Sequence, residues 1–315
     1  MRRKKSVKII SVLCAVALLV PILFSIGPLS ASAAQPRLED NPSVFGWEDD
    51  LNGVIAYRDG SYDLRAEKDV RISFGIYNNP STLKWYLEDE YLPMLTTEFE
   101  RDNCTVKIQN FGNKVAVKGN DYVVAYSRVS IHNHGTSSVV MDPGASSELI
   151  RLSGADLVVR AGETVNHDFM IVSDRFGNKN APWPDEASLR AAAPDFDTAH
   201  TEMVTYWNNR LKEVSRFTEM PEEGMAKILD ATFIQFCIIN DDGLYAVGEN
   251  GYDGGGSWKG DQMEMTVYNL EHGNLHAIKE NMIDSQWYQW NEEAVWWKAG
   301  WQWASYLAKT GDIRS

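Results

Sequence analysis

Ala181-Pro182-Trp183-Pro184 divides this chain into two halves with different hydrophobic periods. Two prolines in four residues stop any strand or helix from running through, so the stretch is a joint. On its N-terminal side, from Asn52 to Asp174, short runs rich in β-branched and aromatic residues are broken by Gly, Asn, Asp and Pro. Val70–Tyr77, Thr105–Gln109, Lys114–Lys118, Tyr122–Ile131 and Glu163–Val172 read as strands. Turn signals lie at Gly112-Asn113, Gly119-Asn120, Asp142-Pro143-Gly144 and Ala161-Gly162. Several alternating strands at close spacing predict an antiparallel β-sandwich. Pro80 to Phe99 breaks the rhythm and predicts a short helical insert.

Beyond the joint, Phe196, Ala199, Met203, Tyr206, Trp207, Leu211 and Val214 recur at helical spacing. A second helix is expected to open at Pro221-Glu222-Glu223, with proline early and acids in the first turn. It carries Met225, Ile228, Leu229, Thr232, Phe233 and Phe236, and Asn240-Asp241-Asp242-Gly243 ends it. Two further helices are expected from His272 to Asp284 and from Asn291 to Lys309. The domain expectation is residues 1–34 as a signal peptide, 40–180 as the β-sandwich and 185–315 as a helical domain.

The 315 residues carry 30 basic and 44 acidic side chains, a formal charge of −14. All five charges of the first 34 residues are basic, so the remainder holds 25 basic against 44 acidic groups. So acidic a chain offers no basic stripe to a phosphate backbone and is repelled by anionic lipid, which argues against nucleic acid as a partner. Met1–Lys8 is basic, Ile9–Ile26 is almost wholly apolar, and Ala31-Ser32-Ala33-Ala34 supplies small residues where a signal peptidase cuts. The expectation is export, cleavage after Ala33 or Ala34, a secreted location and no membrane association afterwards; an uncleaved anchor is the alternative. Cys104 and Cys237 then remain, and they read as two separately packed thiols.

Gly248 to Met265 reads as the loop that carries chemistry. It packs Glu249, Asp253, Asp261 and Glu264 among glycines, Tyr252 and Trp258. Glycine lets backbone approach a ligand closely, and a Trp or Tyr offers a flat face to a sugar ring. A carboxyl group beside such a wall loses hydration and can stay protonated as a general acid. The same composition also suits a solvated surface loop with a stacked Trp.

Trp207-Asn-Asn-Arg-Leu211, then Trp258-Lys-Gly-Asp261-Gln262, then Tyr306-Leu-Ala-Lys-Thr-Gly-Asp312 resembles the opening of an (α/α)6-barrel glycosidase of the six-hairpin superfamily. The resemblance covers roughly Asp195 to Asp312, and the Trp-x-Gly-Asp element is similar to a stretch in α-rhamnosidase-like members. Their preceding Arg-Asp-Glu-Arg element is replaced here by Tyr252-Asp253-Gly-Gly-Gly-Ser257. The resemblance implies a β-sandwich followed by an incomplete (α/α)6 toroid, and an exported glycoside hydrolase acting on an oligo- or polysaccharide, with inversion expected. It implies Asp261 as the general acid, with Glu264 and Asp253 as rivals. Tyr252, Asp253, Trp258, Lys259 and Gln262 would bind substrate, and no metal or cofactor is implied. A second carboxylate is expected from a later hairpin, beyond Ser315. A polysaccharide lyase and a non-catalytic carbohydrate-binding fragment are the alternatives.

Other constellations carry less. Trp287, Trp290, Trp296, Trp297, Trp301 and Trp303 suit a helical core as well as a sugar platform. His132-Asn133-His134 places two imidazoles on one face of a strand, but no third metal ligand is suggested nearby. Gly254-Gly255-Gly256 lacks the Gly-Lys-Ser/Thr of a phosphate loop, and no Gly-x-Ser-x-Gly elbow exists.

Overall fold

The computed structural model describes residues 43–50, 53–64, 70–176, 178, 180–217, 219–222, 224–241, 244–245, 259–275 and 304–311. The signal segment at 1–34 and the six tryptophans from Trp287 to Trp303 lie outside these residues. Strands β1 (Ser43–Phe45), β2 (Val54–Ala56), β3 (Tyr62–Leu64) and β4 (Val70–Ile72) form an antiparallel sheet in that order. There follow β5 (Leu83–Glu88), β6 (Leu92–Arg101), β7 (Cys104–Val117), β8 (Asn120–Asn133), β9 (Val139–Val140), β10 (Ile150–Ser153), β11 (Val158–Val159) and β12 (Thr164–Arg175). Six of them make a second antiparallel sheet in the order β10-β12-β8-β7-β6-β5, and β9 pairs with β11. Helices α1 (Glu186–Ala192), α2 (Phe196–Lys212), α3 (Met225–Ile238) and α4 (Lys259–His272) come next. A short β13 (Asn240–Asp241) and β14 (Leu244–Tyr245) hairpin lies between the last two, and residues 304–310 are helical.

The long strands are joined by turns that only a few residue types tolerate. Asp102 and Asn103 (φ 51° and 58°) reverse the chain between β6 and β7, and Lys118 and Gly119 (φ 51° and 81°) do so between β7 and β8. Two successive left-handed residues match the right-handed twist of the flanking strands. Asp89 and Glu90 (φ 49° and 71°) turn the chain between β5 and β6, so Pro80–Phe99 is a hairpin and not the helical insert expected. Its period of two is hidden in the sequence because Leu83, Trp85 and Leu87 line the core side while Tyr86 stands on the exposed one.

The expected turn at Gly112-Asn113 is also corrected, since both residues lie inside the 14-residue strand β7. A side chain at Gly112 would place its Cβ 2.8 Å from the Gly46 Cα, so the glycine marks a backbone crossing rather than a reversal. Asn113 is buried and donates to Glu202 on α2 at 2.7 Å.

The β-sandwich followed by an incomplete (α/α)6 toroid is overturned. Among the described residues the structure is mostly β, in sheets of four, six, two and two strands, and no toroid is present. The six-stranded sheet is buried on both faces. Ile108, Val129, Phe169 and Ile171 point toward the four-stranded sheet and pack with Phe45, Tyr62 and Ile72. Phe111, Tyr126, Met170 and Val172 point the other way and share a core with Leu189, Phe196, Met203, Trp207, Leu211 and Phe233 of the helices. Helices of a toroid bury their apolar stripes on one another, whereas here the stripe of α2 is covered by the sheet. Each such large side chain contributes about 1.5–3 kcal/mol when fully buried, so the second sheet face and the helices stabilise one another. The described residues accordingly form one compact unit.

The joint itself is held by the sheet. Tyr122 donates to the Pro182 carbonyl at 2.6 Å, and the Arg175 guanidinium lies 3.9 Å from the centre of the Trp183 ring. Asp195 then caps α2 by accepting from the Thr198 amide at 2.8 Å. Phe196, Ala199, Met203, Trp207 and Leu211 are buried along its length, at the spacing the sequence predicts. Helix α3 starts at Met225 after a left-handed Gly224, not at Pro221, and buries Ala231, Phe233, Ile234, Cys237 and Ile238 while Ile228 is 63% exposed. Cys104 and Cys237 are both free and buried.

Candidate functional site

The turn that follows β1 carries Trp47, Glu48, Asp49 and Asp50, and Asp50 closes it by accepting from the Trp47 amide at 3.2 Å. Trp47 stacks on the Tyr206 ring at 4.1 Å between centroids, which sets the turn against α2. Tyr206 and Arg210 are four residues apart on that helix and so share a face. Both reach Glu48, whose exposure is 6%. The Tyr206 hydroxyl donates to Oε2 at 2.8 Å, and Arg210 donates from Nε to Oε2 at 2.7 Å and from Nη2 to Oε1 at 2.9 Å.

The opposite wall is the end of α4. Gly273 takes φ 79°, its amide reaches the Leu270 carbonyl at 3.2 Å, and the Asn274 amide reaches the Asn269 carbonyl at 2.9 Å. This is the Schellman arrangement, which satisfies the last helical carbonyls and needs a residue without Cβ strain at its left-handed position. It fixes Asn274, whose Nδ2 donates to Asn269 at 2.8 Å while its Oδ1 accepts from Arg210 Nη2. Between these walls lies a cavity of about 530 Å³, lined also by Asp49, Asn209, Glu213 and Leu275.

Burial, and then the neighbouring Glu48 carboxylate, push the Tyr206 phenol well above its ordinary range. Burial acts to lower Arg210, but its hydrogen bonds and ion pair with Glu48 outweigh that and hold it protonated. Cys237, beneath the site with its sulfur 3.9 Å from Asn274 Nδ2, is likewise raised by burial and then by Glu48. These three groups therefore keep one protonation state around neutrality. With three donors on Glu48, the constellation offers fixed hydrogen-bonding groups rather than a proton to exchange.

No family model, curated protein or solved structure matches the chain.

The residues singled out in the sequence fall elsewhere. Lys259, Asp261, Gln262 and Glu264 belong to α4, so the expected loop has become helix from Lys259 onward. Tyr252, Asp253 and Trp258 lie outside the described residues. Eleven helical steps separate Asp261 from His272, about 17 Å at 1.5 Å per residue, so the structure does not bring Asp261 to the cavity. His132 is engaged by Thr164 at 2.9 Å and His134 by Glu100 at 3.4 Å. Among the described residues no group of three His, Cys, Asp or Glu is placed to hold a metal, and no helix is long and apolar enough to cross a membrane.

Glu48, Arg210 and Asn274 were not legible as a site. Tyr206 reads as part of the apolar stripe, and Arg210 enters the sequence reading only within the Trp207–Leu211 element of the resemblance. No local pattern links Glu48 with a partner 162 residues away.

Proposed function

We propose that this chain belongs to an exported protein that engages carbohydrate, and that the cavity beside Arg210 binds a neutral sugar. The observation that carries this is the fixing of Glu48 by Tyr206 and Arg210 in the wall of a cavity of about 530 Å³ whose lining mixes polar groups with apolar surface. Such a site binds through oriented hydrogen bonds, as an uncharged polyhydroxylated ligand requires. The basic, apolar and small-residue order of residues 1–34 supports export. Calorimetric titration of the mature chain with neutral oligosaccharides is the test. Binding that is weakened at least tenfold by Asn209→Ala is expected, and the absence of binding to any of them would refute the proposal.

Glycoside hydrolysis is the second reading. Asp261 and Glu264 stand three residues apart in the first turns of α4, a spacing that puts two positions on one side of a helix, directly after the glycine-rich segment. On this reading Asp261 is the general acid, Glu264 its neighbour, and Tyr252, Asp253, Trp258, Lys259 and Gln262 contact the substrate. Loss of glycosidase turnover in Asp261→Asn with an unchanged melting temperature is expected; unaltered turnover removes Asp261 from the mechanism.

A further inference from the structure

An arginine in a cavity is ordinarily a receptor for carboxylates, because its planar fork matches two oxygens at once. Here the fork is consumed. Nε and Nη2 of Arg210 hold Glu48, and Nη2 also donates to Asn274. The remaining edge, Nη1, donates to Glu213 at 3.3 Å. Glu48 and Asn274 are buried, but the Glu213 side chain is 68% exposed and lines the cavity at its rim.

Two local effects oppose each other at Glu213. Its i,i+3 ion pair with Arg210 supports the helix. Its place at the C-cap of α2, where the helix dipole is negative and favours cations such as Arg210 and Lys212 of the last turn, works against it. Glu213 does occupy the one guanidinium edge that an incoming anion could reach, and it adds a negative charge to the cavity mouth.

We infer that Glu213 is the specificity-determining residue that keeps acidic sugars out of the cavity beside Arg210. The inference rests on the proposal that the cavity binds sugar. A uronic acid entering the site meets an arginine already engaged and a fixed carboxylate at the rim, whereas a neutral hexose loses nothing by either. Removing one unit charge about 6 Å from a bound carboxylate, at a dielectric between that of a protein surface and water, is worth about tenfold in affinity.

The test titrates the mature chain and its Glu213→Gln variant at low salt with matched tetrasaccharides: galactose and galacturonate, glucose and glucuronate, mannose and mannuronate. The wild type is expected to favour the neutral member of its best pair by at least tenfold, and Glu213→Gln to narrow that ratio by about tenfold. Added salt should narrow the wild-type ratio more than the variant's, since screening and substitution remove the same repulsion. Equal melting temperatures confirm that the variant folds, and Glu213→Ala gives a second measurement of the same ratio. A neutral-to-acidic ratio that neither variant changes overturns the inference while leaving sugar binding intact. Failure of every neutral tetrasaccharide to bind the wild type instead refutes the underlying proposal, and this inference falls with it.

Discussion

Replacing Arg210 by Met strands a carboxylate that the fold has buried. Glu48 is 6% exposed and takes two hydrogen bonds from Arg210, so the variant leaves it with neutral partners only, the Tyr206 hydroxyl and the Cys237 thiol. Breaking a buried ion pair from one side costs about 3–5 kcal/mol, because the surviving charge keeps its desolvation penalty and loses its partner. For a chain of this size that is a fall in Tm of roughly 5–8 °C. The double variant Glu48→Met with Arg210→Met removes the stranded charge as well. Both variants leave Asn274 Oδ1 without its donor, and the double variant adds only the unpaired Tyr206 hydroxyl, about 1–3 kcal/mol, so it should be more stable than the single one by about 2 kcal/mol. Urea unfolding followed by tryptophan fluorescence measures all three proteins, and Trp47 and Trp207 lie next to the perturbation. A loss below about 1 kcal/mol in Arg210→Met, or a double variant no more stable than the single one, would refute the picture of a buried pair holding the turn, α2 and the end of α4 together.

Gly112→Ala should destabilise the chain by about 1–3 kcal/mol through overpacking, because the new methyl would meet Gly46 backbone at 2.8 Å; an unchanged urea midpoint would show that β7 and the turn after β1 separate freely. Trp207→Ala, at a fully buried position where α2 meets the sheet, should cost about 3–5 kcal/mol in the same assay, and a cost near that of a surface substitution would mean the helix layer is not part of the core. Glu98 is held at about 2, chiefly by Lys84 against the opposing effect of burial, with Tyr86 and Lys107 adding to it. A depressed carboxylate stabilises the fold above its unfolded value, near 4.5, and that contribution is lost as pH falls through about 2. Glu98→Gln should therefore lose about 1 kcal/mol at pH 7, after allowance for solvent screening of the exposed lysine, and almost nothing at pH 2; equal losses at both pH values contradict this.

Local periodicity proved legible where one face of an element meets one environment. The positions buried in α2 were readable because its other side faces solvent, and the run Tyr122–Ile131 was readable from its β-branched and aromatic composition, although Tyr122 to Ser127 are buried in succession. Legibility failed where one letter or one pattern suits two structures. Gly112 looked like a turn because a glycine at a reversal and one at a backbone crossing have the same letter, and nothing near it in sequence mentions Gly46. The helical insert expected at Pro80–Phe99 failed for a related reason, since aromatics on both sides of β5 mask the period of two. The toroid failed because an amphipathic helix states that it needs an apolar partner without stating whether that partner is a helix or a sheet.

Residue order alone carried the acidity of the chain, the export-like N-terminus, the change of period at Ala181-Pro182-Trp183-Pro184 and the buried stripe of α2. These are properties of neighbours in the chain, governed by backbone geometry over a few residues. The two-sided burial of the six-stranded sheet and the meeting of Glu48, Tyr206, Arg210 and Asn274 depended on folding. A buried carboxylate is tolerated only where its donors arrive from distant elements at hydrogen-bond distance. That arrival follows from how the turn after β1, the face of α2 and the cap of α4 pack around a shared core, which no stretch of sequence states by itself.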